Sequence, residues 1–588
     1  MKSIVFDIET DGLISTKIWC IVGLDVETEK IYIFRPDQLE EGVKFLQGYD
    51  KLIGHNILGF DIPVVKKLLN VDLSSKKIVD TLVLSRLFNP VREGGHALAA
   101  WGYKLGFHKI EFEDYENFSE EMITYCERDV ELNYLVYKKL KQESAGFSMD
   151  SVNIEHATAS LVDCQRKKGF YFDNNRAGAL LDSLTKRINK VEEEVHKVFG
   201  INKNYIKIYP KFKKDKELSK IGVTKDGKSI RLDGLEYESL LCYLNEHKPP
   251  NLIHVVRDIS EDFNLGSRKQ IGERLKSLGW KPDKFTPTGQ PMVDEKILIN
   301  IKIPEAKMIA EYLMLQKRIA QINSWLKELQ EDNRIRGFVN HNGTITGRMT
   351  HRSPNTAQLP SVRVPHGKEC RECWTVPEGY KLLGVDASGL ELRMLASYMN
   401  DKEYINEIIN GDIHTANQKL AGLKSRDQAK TFIYALCYGA GDKKLSTILG
   451  GNARDARTIR QHFLDNLPSF KSLKDRVARA ATKGYLKGLD GRKIFIRSEH
   501  AALNTLLQSA GAVIMKKALI IFSNRIYHYD AHVVANVHDE WQIEVREDQA
   551  HAVGEIAVEA IRQAGIDLNL NCPLDGEYNV GRNWAETH

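Results

Sequence analysis

The chain has 588 residues, 42% hydrophobic and 28% charged, enough apolar residue for about three or four packed domains and too much for a disordered or fibrous polypeptide. Its net charge of +5 suits a polyanionic partner without requiring one. Eight scattered cysteines fit a reducing cytosol rather than a disulfide scaffold, and the one C-x-x-C, Cys370 and Cys373, lacks the second pair a zinc site needs. The first residues enter a strand without a signal peptide, and no apolar run approaches the roughly 18 residues of a membrane span. A cytoplasmic location with no membrane partner is expected.

Residues 1–145 read as an α/β unit. Ile4 to Ile8, Trp19 to Asp25 and Lys30 to Phe34 are β-rich runs of a meander, and helical patterns follow at Pro63 to Leu69 and Glu120 to Gln142. Asp7 and Glu9, two apart on the first strand, share a face, an unfavourable pairing unless a cation sits between them. His55-Asn56-x-x-x-Phe60-Asp61 comes next, then Tyr125 and Asp129, one helical turn apart. The plain alternative is a set of surface acids. Together, Asp7, Glu9, Asp61, Asp129 and Tyr125 resemble the proofreading 3′–5′ exonucleases of RNase H-like fold, tyrosine subtype. That resemblance implies that the four acids hold two Mg²⁺ ions about 4 Å apart and that the tyrosine positions the attacking water. Asp80 to Leu105 has helical spacing and receives no catalytic role.

From Asp150 the texture becomes helical over 151–200, 266–278 and 304–329, with Asp173-Asn174-Asn175 as a cap before the second helix. The intervening Ile201 to Asp262 differs. Lys203, Lys207, Lys211, Lys213, Lys214, Lys216 and Lys220 crowd together with Tyr205, Tyr209 and Phe212, followed by Pro249-Pro250 and a short β-like run, Ile253 to Val256. This insertion is either a partner- or DNA-binding element, whose lysines neutralise phosphates, or a solvated basic loop. Gly337 to Pro360 is a Gly/Pro-punctuated strand and loop with Thr346-Gly347-Arg348, Asn355 and Gln358. Arg348 there can donate to minor-groove acceptors.

Lys381 to Arg393 reads as strand, small-residue turn and helix. Leu382 to Val385 delivers Asp386, Ala387-Ser388-Gly389 turns, and the helix carries Glu391 and Arg393. Asp386 is either the helix N-cap or a ligand for a hard cation. Gly411-Asp412-Ile413-His414-Thr415 follows. Arg426, Lys430, Tyr434 and Tyr438 then recur every fourth residue, a turn of about 400° per step, and form one stripe of two cations and two rings. The stripe fits a nucleoside triphosphate lying along the helix, or a helix with a solvated basic end and buried tyrosines. His500 to Ala512 is a helix with Asn504 and Gln508 one turn apart. Val533 to Val545 is a hairpin with His538-Asp539-Glu540 at its tip, where Asp539 is the natural partner of Asp386.

The stretches D-A-S-G-L-E-L-R, R-D-Q-A-K-T-F-I-Y and V-H-D-E resemble motifs A, B and C of family A (polymerase I-like) DNA polymerases. G-D-I-H-T, Y-G-A-G-D, K-G-L-D-G-R-K and A-A-L-N-T-L-L narrow the likeness to the replicative polymerases of T-seven-group bacteriophages. The likeness spans nearly the whole chain except the basic insertion.

It implies an α/β plus α+β multidomain protein, an RNase H-like exonuclease domain followed by a right-hand polymerase. The expected parts are 1–145 exonuclease, 146–335 thumb with 201–262 inserted, 336–400 first part of the palm, 401–485 fingers and 486–588 second part of the palm. It further implies two Mg²⁺, with Mn²⁺ as substitute, on Asp386, Asp539 and the Ala387 carbonyl. Glu391 would be the steric gate at the sugar 2′ position, and His414, Arg426 and Lys430 would hold the triphosphate, Lys430 also protonating the leaving pyrophosphate. Tyr434 would lie under the sugar and Tyr438 near the templating base. Arg348, Asn504 and Gln508 would track the minor groove, and His538 would lie by the primer terminus. A tyrosine at 434 implies ready use of dideoxynucleotides, and Tyr434→Phe selectivity against them.

The expected function is template-directed replicative addition of dNTPs to a primer 3′ end with 3′–5′ proofreading, in the host bacterial cytoplasm for a phage protein. A repair-type polymerase I-like enzyme and a non-catalytic DNA-binding scaffold are the alternatives. Implied partners are primer-template DNA, dNTPs, host thioredoxin or another processivity factor at 201–262, a helicase-primase and a single-stranded DNA-binding protein.

Overall fold

Strand Ser3–Thr10 is buried on both faces, so its apolar residues divide between two cores. Ile4, Phe6 and Ile8 pack with Val64 and Val65 of helix Asp61–Leu69. Val5 packs the other way, with Cys126 and Val130 of helix Glu120–Glu143. Alternation therefore turns Val5, Asp7 and Glu9 together toward the long helix. The sheet has the order Ile31–Phe34, Ile18–Asp25, Ser3–Thr10, Lys51–Gly54, Lys77–Asp80. The first three strands are the antiparallel meander. The last two, which the sequence reading left unassigned, run parallel to Ser3–Thr10.

The computed structural model describes residues 2–588 except 203–204, 215–216, 247–253 and 259–260. Lys203, Lys216, Pro249-Pro250 and Ile253 of the basic insertion lie outside the described residues. There are two units, 1–174 with 327–588, and 175–326.

In the 175–326 unit, the helix that starts at Asn174 runs to Phe199 and is joined to Pro304–Glu328 by Arg187, whose guanidinium meets Glu311 at 2.6 and 2.9 Å. The insertion is more than a loop. Ser229–Arg231, Ile221–Thr224, Tyr205–Tyr209 and Val255–Asp258 form an antiparallel sheet, accompanied by helix Gly234–Glu246. Ile208, Leu218, Leu232 and Leu240 make its small core, while Lys207, Lys211, Lys214 and Lys220 are exposed.

In the other unit, a second antiparallel sheet has the order Ala531–Val537, Glu540–Arg546, Tyr380–Ala387, Gly576–Gly581. Helix Ala550–Asp567 packs on it and against helix Ala502–Arg525. Six helices between Lys402 and Ala481 lie between the first and second strands of this sheet in sequence. Contrary to the sequence expectation, Glu499–Arg525 is long and apolar enough to cross a membrane by length and composition. Its apolarity has another cause: 72% of its most apolar window is buried inside the protein, where Lys516 meets Glu155 at 2.6 Å.

Candidate functional site

Asp386 sits near the end of the central strand Tyr380–Ala387, paired with Glu540 on one side and Glu577 on the other. It does not cap the next helix. Gly389 occupies that N-cap position with φ +59°, a left-handed backbone that glycine adopts without strain. The tip of the hairpin brings in Asp539, whose carbonyl accepts from the Ala387 amide at 3.1 Å. His538 makes the tip tight by adopting φ +59°. Burial, then Asp539, Glu540 and Glu577, push the Asp386 carboxyl up to about 7. Burial also raises Asp539. Glu540 differs: its oxygens are filled by Gln542 and Trp584 at 2.6 Å and by His588 at 2.8 Å. Glu577 is an acid that sequence reasoning missed. It lies outside the apolar runs and acid-bearing turns that drew attention to Asp386 and Asp539.

The stripe on helix Arg426–Cys437 forms as expected from its spacing. The rings of His414 and Tyr434, and of Tyr434 and Tyr438, are each 6.4 Å apart. Arg426 and Lys430 both depress the His414 imidazole, after the larger effect of its burial. Arg426 is bidentate to Asp412 at 2.7 and 3.2 Å, and Asp412 also caps the helix that carries His414. Lys430 is exposed. Gly439 ends the stripe with φ +71°, and a Cβ there would lie 2.2 Å from the His500 carbonyl. The fit of helix to helix therefore requires glycine. Tyr434 is half-buried, and the charges of Glu391 and Asp539 raise its phenol further after burial.

Arg348, Asn355, Gln358, Asn504, Gln508 and His538, which come from three separate stretches of sequence, line one cleft of about 610 Å³. Asn504 Oδ1 is buried there without a hydrogen-bond partner. An orphaned polar atom on a polar cleft wall suits a hydrogen-bonding ligand.

The N-terminal set also converges. Asp7 is raised well above the usual carboxylate range by burial, then by Asp61, Glu9 and Asp129. Burial, with Asp129 and Asp61 contributing, pushes Glu9 up to about 9, and burial raises Asp61 to about 7. Asp61 begins its helix and accepts from the Ile8 amide at 3.2 Å, which pins it to the strand bearing Asp7 and Glu9. Lys109 was missed. Its ammonium lies 2.5 Å from Asp129 Oδ2, donates to the Tyr125 hydroxyl at 2.9 Å, and stands over the Tyr125 ring. It sits in an aperiodic loop, H-K-I-E-F-E-D, where no spacing marks it out. Asp129 Oδ1 remains buried and unpartnered.

Cys370 and Cys373 are both buried, and the Cys373 thiol donates to the Glu369 carbonyl at 3.3 Å.

The sheet with its paired acids, the cationic-aromatic helix and the polar cleft all belong to the unit 1–174 with 327–588. The chain belongs to DNA polymerase family A, whose profile matches residues 247–586. It is 34% identical to the DNA-directed DNA polymerase of Escherichia phage T7 and 33% identical to that of Enterobacteria phage T3, each over 100% of both chains. Its fold is similar to that of the POL domain of Pol1 from M. smegmatis, solved in complex with DNA primer-template and dNTP. That likeness has a TM-score of 0.75 at 18% identity and covers 100% of this chain and 96% of the other.

Proposed function

We propose that this chain is a replicative DNA polymerase that extends a primer 3′ end on a DNA template and proofreads with a 3′–5′ exonuclease site in residues 1–145. The observation that carries the polymerase reading is the meeting of Asp386 and Asp539 at one end of the sheet, where the Ala387 amide bonds the Asp539 carbonyl at 3.1 Å and the Asp539 charge reaches Tyr434. In this reading, 336–400 and 486–588 form the palm, 401–485 the fingers and 146–335 the thumb. The insertion at 201–262 would bind a processivity factor such as thioredoxin. Its own core and exposed lysines support that role.

The donor sets fit hard divalent cations. Crowded, part-buried carboxylates with raised proton affinity are the arrangement that a Mg²⁺ ion relieves, and the Ala387 carbonyl adds a neutral oxygen. When bound, two Mg²⁺ supply Lewis-acid stabilisation of the attacking and leaving oxygens.

The remaining work falls to side chains. Arg426, released from Asp412, and Lys430 hold the triphosphate, with His414 beside them, and Lys430 gives a proton to the departing pyrophosphate. Tyr434 supports the sugar, Glu391 bars a 2′-hydroxyl, and Tyr438 borders the templating base. Arg348, Asn504 and Gln508 hydrogen-bond the new duplex in the cleft, and His538 lies by the primer terminus. In the exonuclease site, Asp7, Glu9, Asp61 and Asp129 hold the cations and Tyr125 orients water. The mixed sheet, three antiparallel strands followed by two parallel ones, supports an RNase H-like assignment for this part.

Primer extension tests the reading. Asp539→Ala should abolish synthesis, whereas Asp7→Ala with Glu9→Ala should abolish 3′–5′ degradation and leave synthesis intact. Undiminished synthesis by Asp539→Ala would refute the polymerase site.

A further inference from the structure

Tyr125 is clasped by the connection that leads into its own helix. Residues 106–119 link helix Leu98–Leu105 to helix Glu120–Glu143 and are tied at both ends. The Phe107 amide donates to the Gly102 carbonyl at 3.0 Å, and the Ser119 hydroxyl accepts from the Met122 amide at 3.1 Å. Midway, Trp19 Nε1, on strand Ile18–Asp25, donates to the Tyr115 carbonyl at 3.0 Å. Three side chains of the connection meet Tyr125. The Phe112 ring stacks on it at 5.3 Å, the Tyr115 ring meets it edge-on at 6.3 Å, and the Lys109 ammonium stands 4.7 Å from its centroid. At the hydroxyl itself, Lys109 Nζ donates at 2.9 Å and the Tyr115 hydroxyl at 3.4 Å.

A phenol oxygen has one proton and two lone pairs, and an ammonium can only donate. Lys109 therefore occupies one lone pair and Tyr115 the other. What remains at the Tyr125 oxygen is its own proton, which burial, the Tyr115 bond and the charges of Asp129 and Glu9 keep in place. We propose that Lys109 is a positioning residue of 3′–5′ hydrolysis: by filling a lone pair of the Tyr125 hydroxyl, it fixes that phenol as a hydrogen-bond donor aimed at the attacking water. The water accepts with one lone pair and keeps the other for the phosphorus. A hydroxyl that accepts from a cation is also a stronger donor, because each bond polarises the next. Without Lys109 the phenol is free to turn its proton toward the carboxylates, and the water loses its partner. The ring contact holds the ammonium over Tyr125 independently of its 2.5 Å pairing with Asp129. The inference rests on reading residues 1–145 as an exonuclease with Tyr125 at its water.

The experiment follows single-turnover degradation of single-stranded DNA by the full chain in saturating Mg²⁺, so that the limiting rate and the half-saturating DNA concentration are read separately. Lys109→Met should lower the limiting rate about a hundredfold and leave half-saturation within about threefold of wild type. Lys109→Arg, which keeps a cationic donor, should recover the rate to within about tenfold of wild type. Tyr125→Phe removes the hydroxyl and should also slow the reaction. Lys109→Met with Tyr125→Phe should be no slower than Tyr125→Phe alone, because Lys109 acts through that hydroxyl, a result that a merely structural role would not produce. Primer extension by the same preparations reports that they are folded. Lys109→Gln, which can still bond Asp129, is the second variant if Lys109→Met melts early, and its loss must likewise vanish in the Tyr125→Phe background. A wild-type rate in Lys109→Met overturns the proposal, as do losses that multiply in the double variant or that appear only in half-saturation, the mark of a plain phosphate contact. These outcomes leave the exonuclease standing. A wild-type chain that extends primers yet degrades nothing refutes the exonuclease, and the role of Lys109 with it.

Discussion

The phenol of Tyr438 donates a 2.8 Å hydrogen bond to Oε2 of Glu391, and the Arg348 guanidinium reaches the other oxygen, Oε1, at 3.2 Å. One carboxylate thus joins the end of the stripe helix, the start of the helix Leu390–Met399 that follows Asp386, and the wall of the polar cleft. Both partners are proposed to handle the substrate, so Glu391 would act twice, as a barrier at the sugar and as a brace for Tyr438 and Arg348. Glu391→Ala should lower discrimination against ribonucleotides by about tenfold or more, and it should also reduce kcat/KM for dNTPs. Tyr438→Phe keeps the barrier and loses only the brace, so sugar discrimination should survive. Single-nucleotide incorporation with dNTP and NTP separates the two. Equal discrimination in wild type and Glu391→Ala would remove the gate.

Asp386 sets a pH dependence whose sign follows from its raised proton affinity. In the metal-free fold it holds a proton up to about pH 7, whereas in the unfolded chain it releases that proton near the ordinary 3.8. Between those values the folded state binds more proton, so metal-free stability falls as pH rises through the window. The thermal midpoint should therefore drop between about pH 4 and 7, and the drop should shrink in Asp386→Asn. Adding Mg²⁺ at pH 6 should restore the midpoint and release protons, which a weakly buffered indicator detects. A midpoint independent of pH in wild type contradicts the crowding of Asp386 with Asp539 and Glu577.

The N-terminal pocket leads to a separate expectation. Without a cation at neutral pH, Glu9, at about 9, is largely protonated and Asp61, at about 7, is about half protonated, and both must ionise to hold one. At limiting Mg²⁺ the rate of 3′–5′ degradation should rise from pH 7 to 9, and saturating Mg²⁺ should flatten the profile. EDTA should stop degradation at every pH. A profile equally steep at limiting and saturating Mg²⁺ would mean that proton release is not coupled to cation binding.

The acids that belong to regular patterns were legible in the sequence. Asp7 and Glu9 are on one strand face, Tyr125 and Asp129 one helical turn apart, and Asp386 follows an apolar run, so local periodicity alone placed each on its element. The cleft was legible only as fragments, because nothing in the spacing of Arg348, Asn504 and His538 says that three distant stretches share a wall. Lys109 and Glu577 were invisible for a related reason. Each owes its place to a partner far along the chain, Asp129 across a loop and Asp386 across a strand pairing. The strands Lys51–Gly54 and Lys77–Asp80 are four residues long, too short to show an alternation. The folded insertion was hidden among lysines, since Ile208, Leu218, Leu232 and Leu240 of its core are spread over thirty-odd positions of mostly polar sequence.

Glu155 shows the same dependence on long-range partners and carries the last prediction. It is wholly buried on helix Met149–Lys168, and its carboxylate meets Lys516 at 2.6 Å, Arg492 at 2.8 Å and His341 Nδ1 at 2.7 Å. Arg492 is also clasped by Asp490, whose backbone carbonyl accepts from the Ser148 hydroxyl. Burial opposes the charge on Glu155, but Lys516 and Arg492 outweigh it and hold the carboxyl well below its ordinary range. Burial in turn brings the Lys516 ammonium down to about 8 despite Glu155. Removing the carboxylate would leave two buried cations facing each other, a loss of about 3–5 kcal/mol for one broken buried pair. Glu155→Ala should lower the thermal midpoint steeply, and Glu155→Gln, which keeps the shape and some hydrogen bonds, should fall between it and wild type. Synthesis measured well below the new midpoint should remain near wild type, because none of these four residues is among the proposed substrate or cation ligands. An unchanged midpoint in Glu155→Ala would show that Asp490 and solvent satisfy both cations without it.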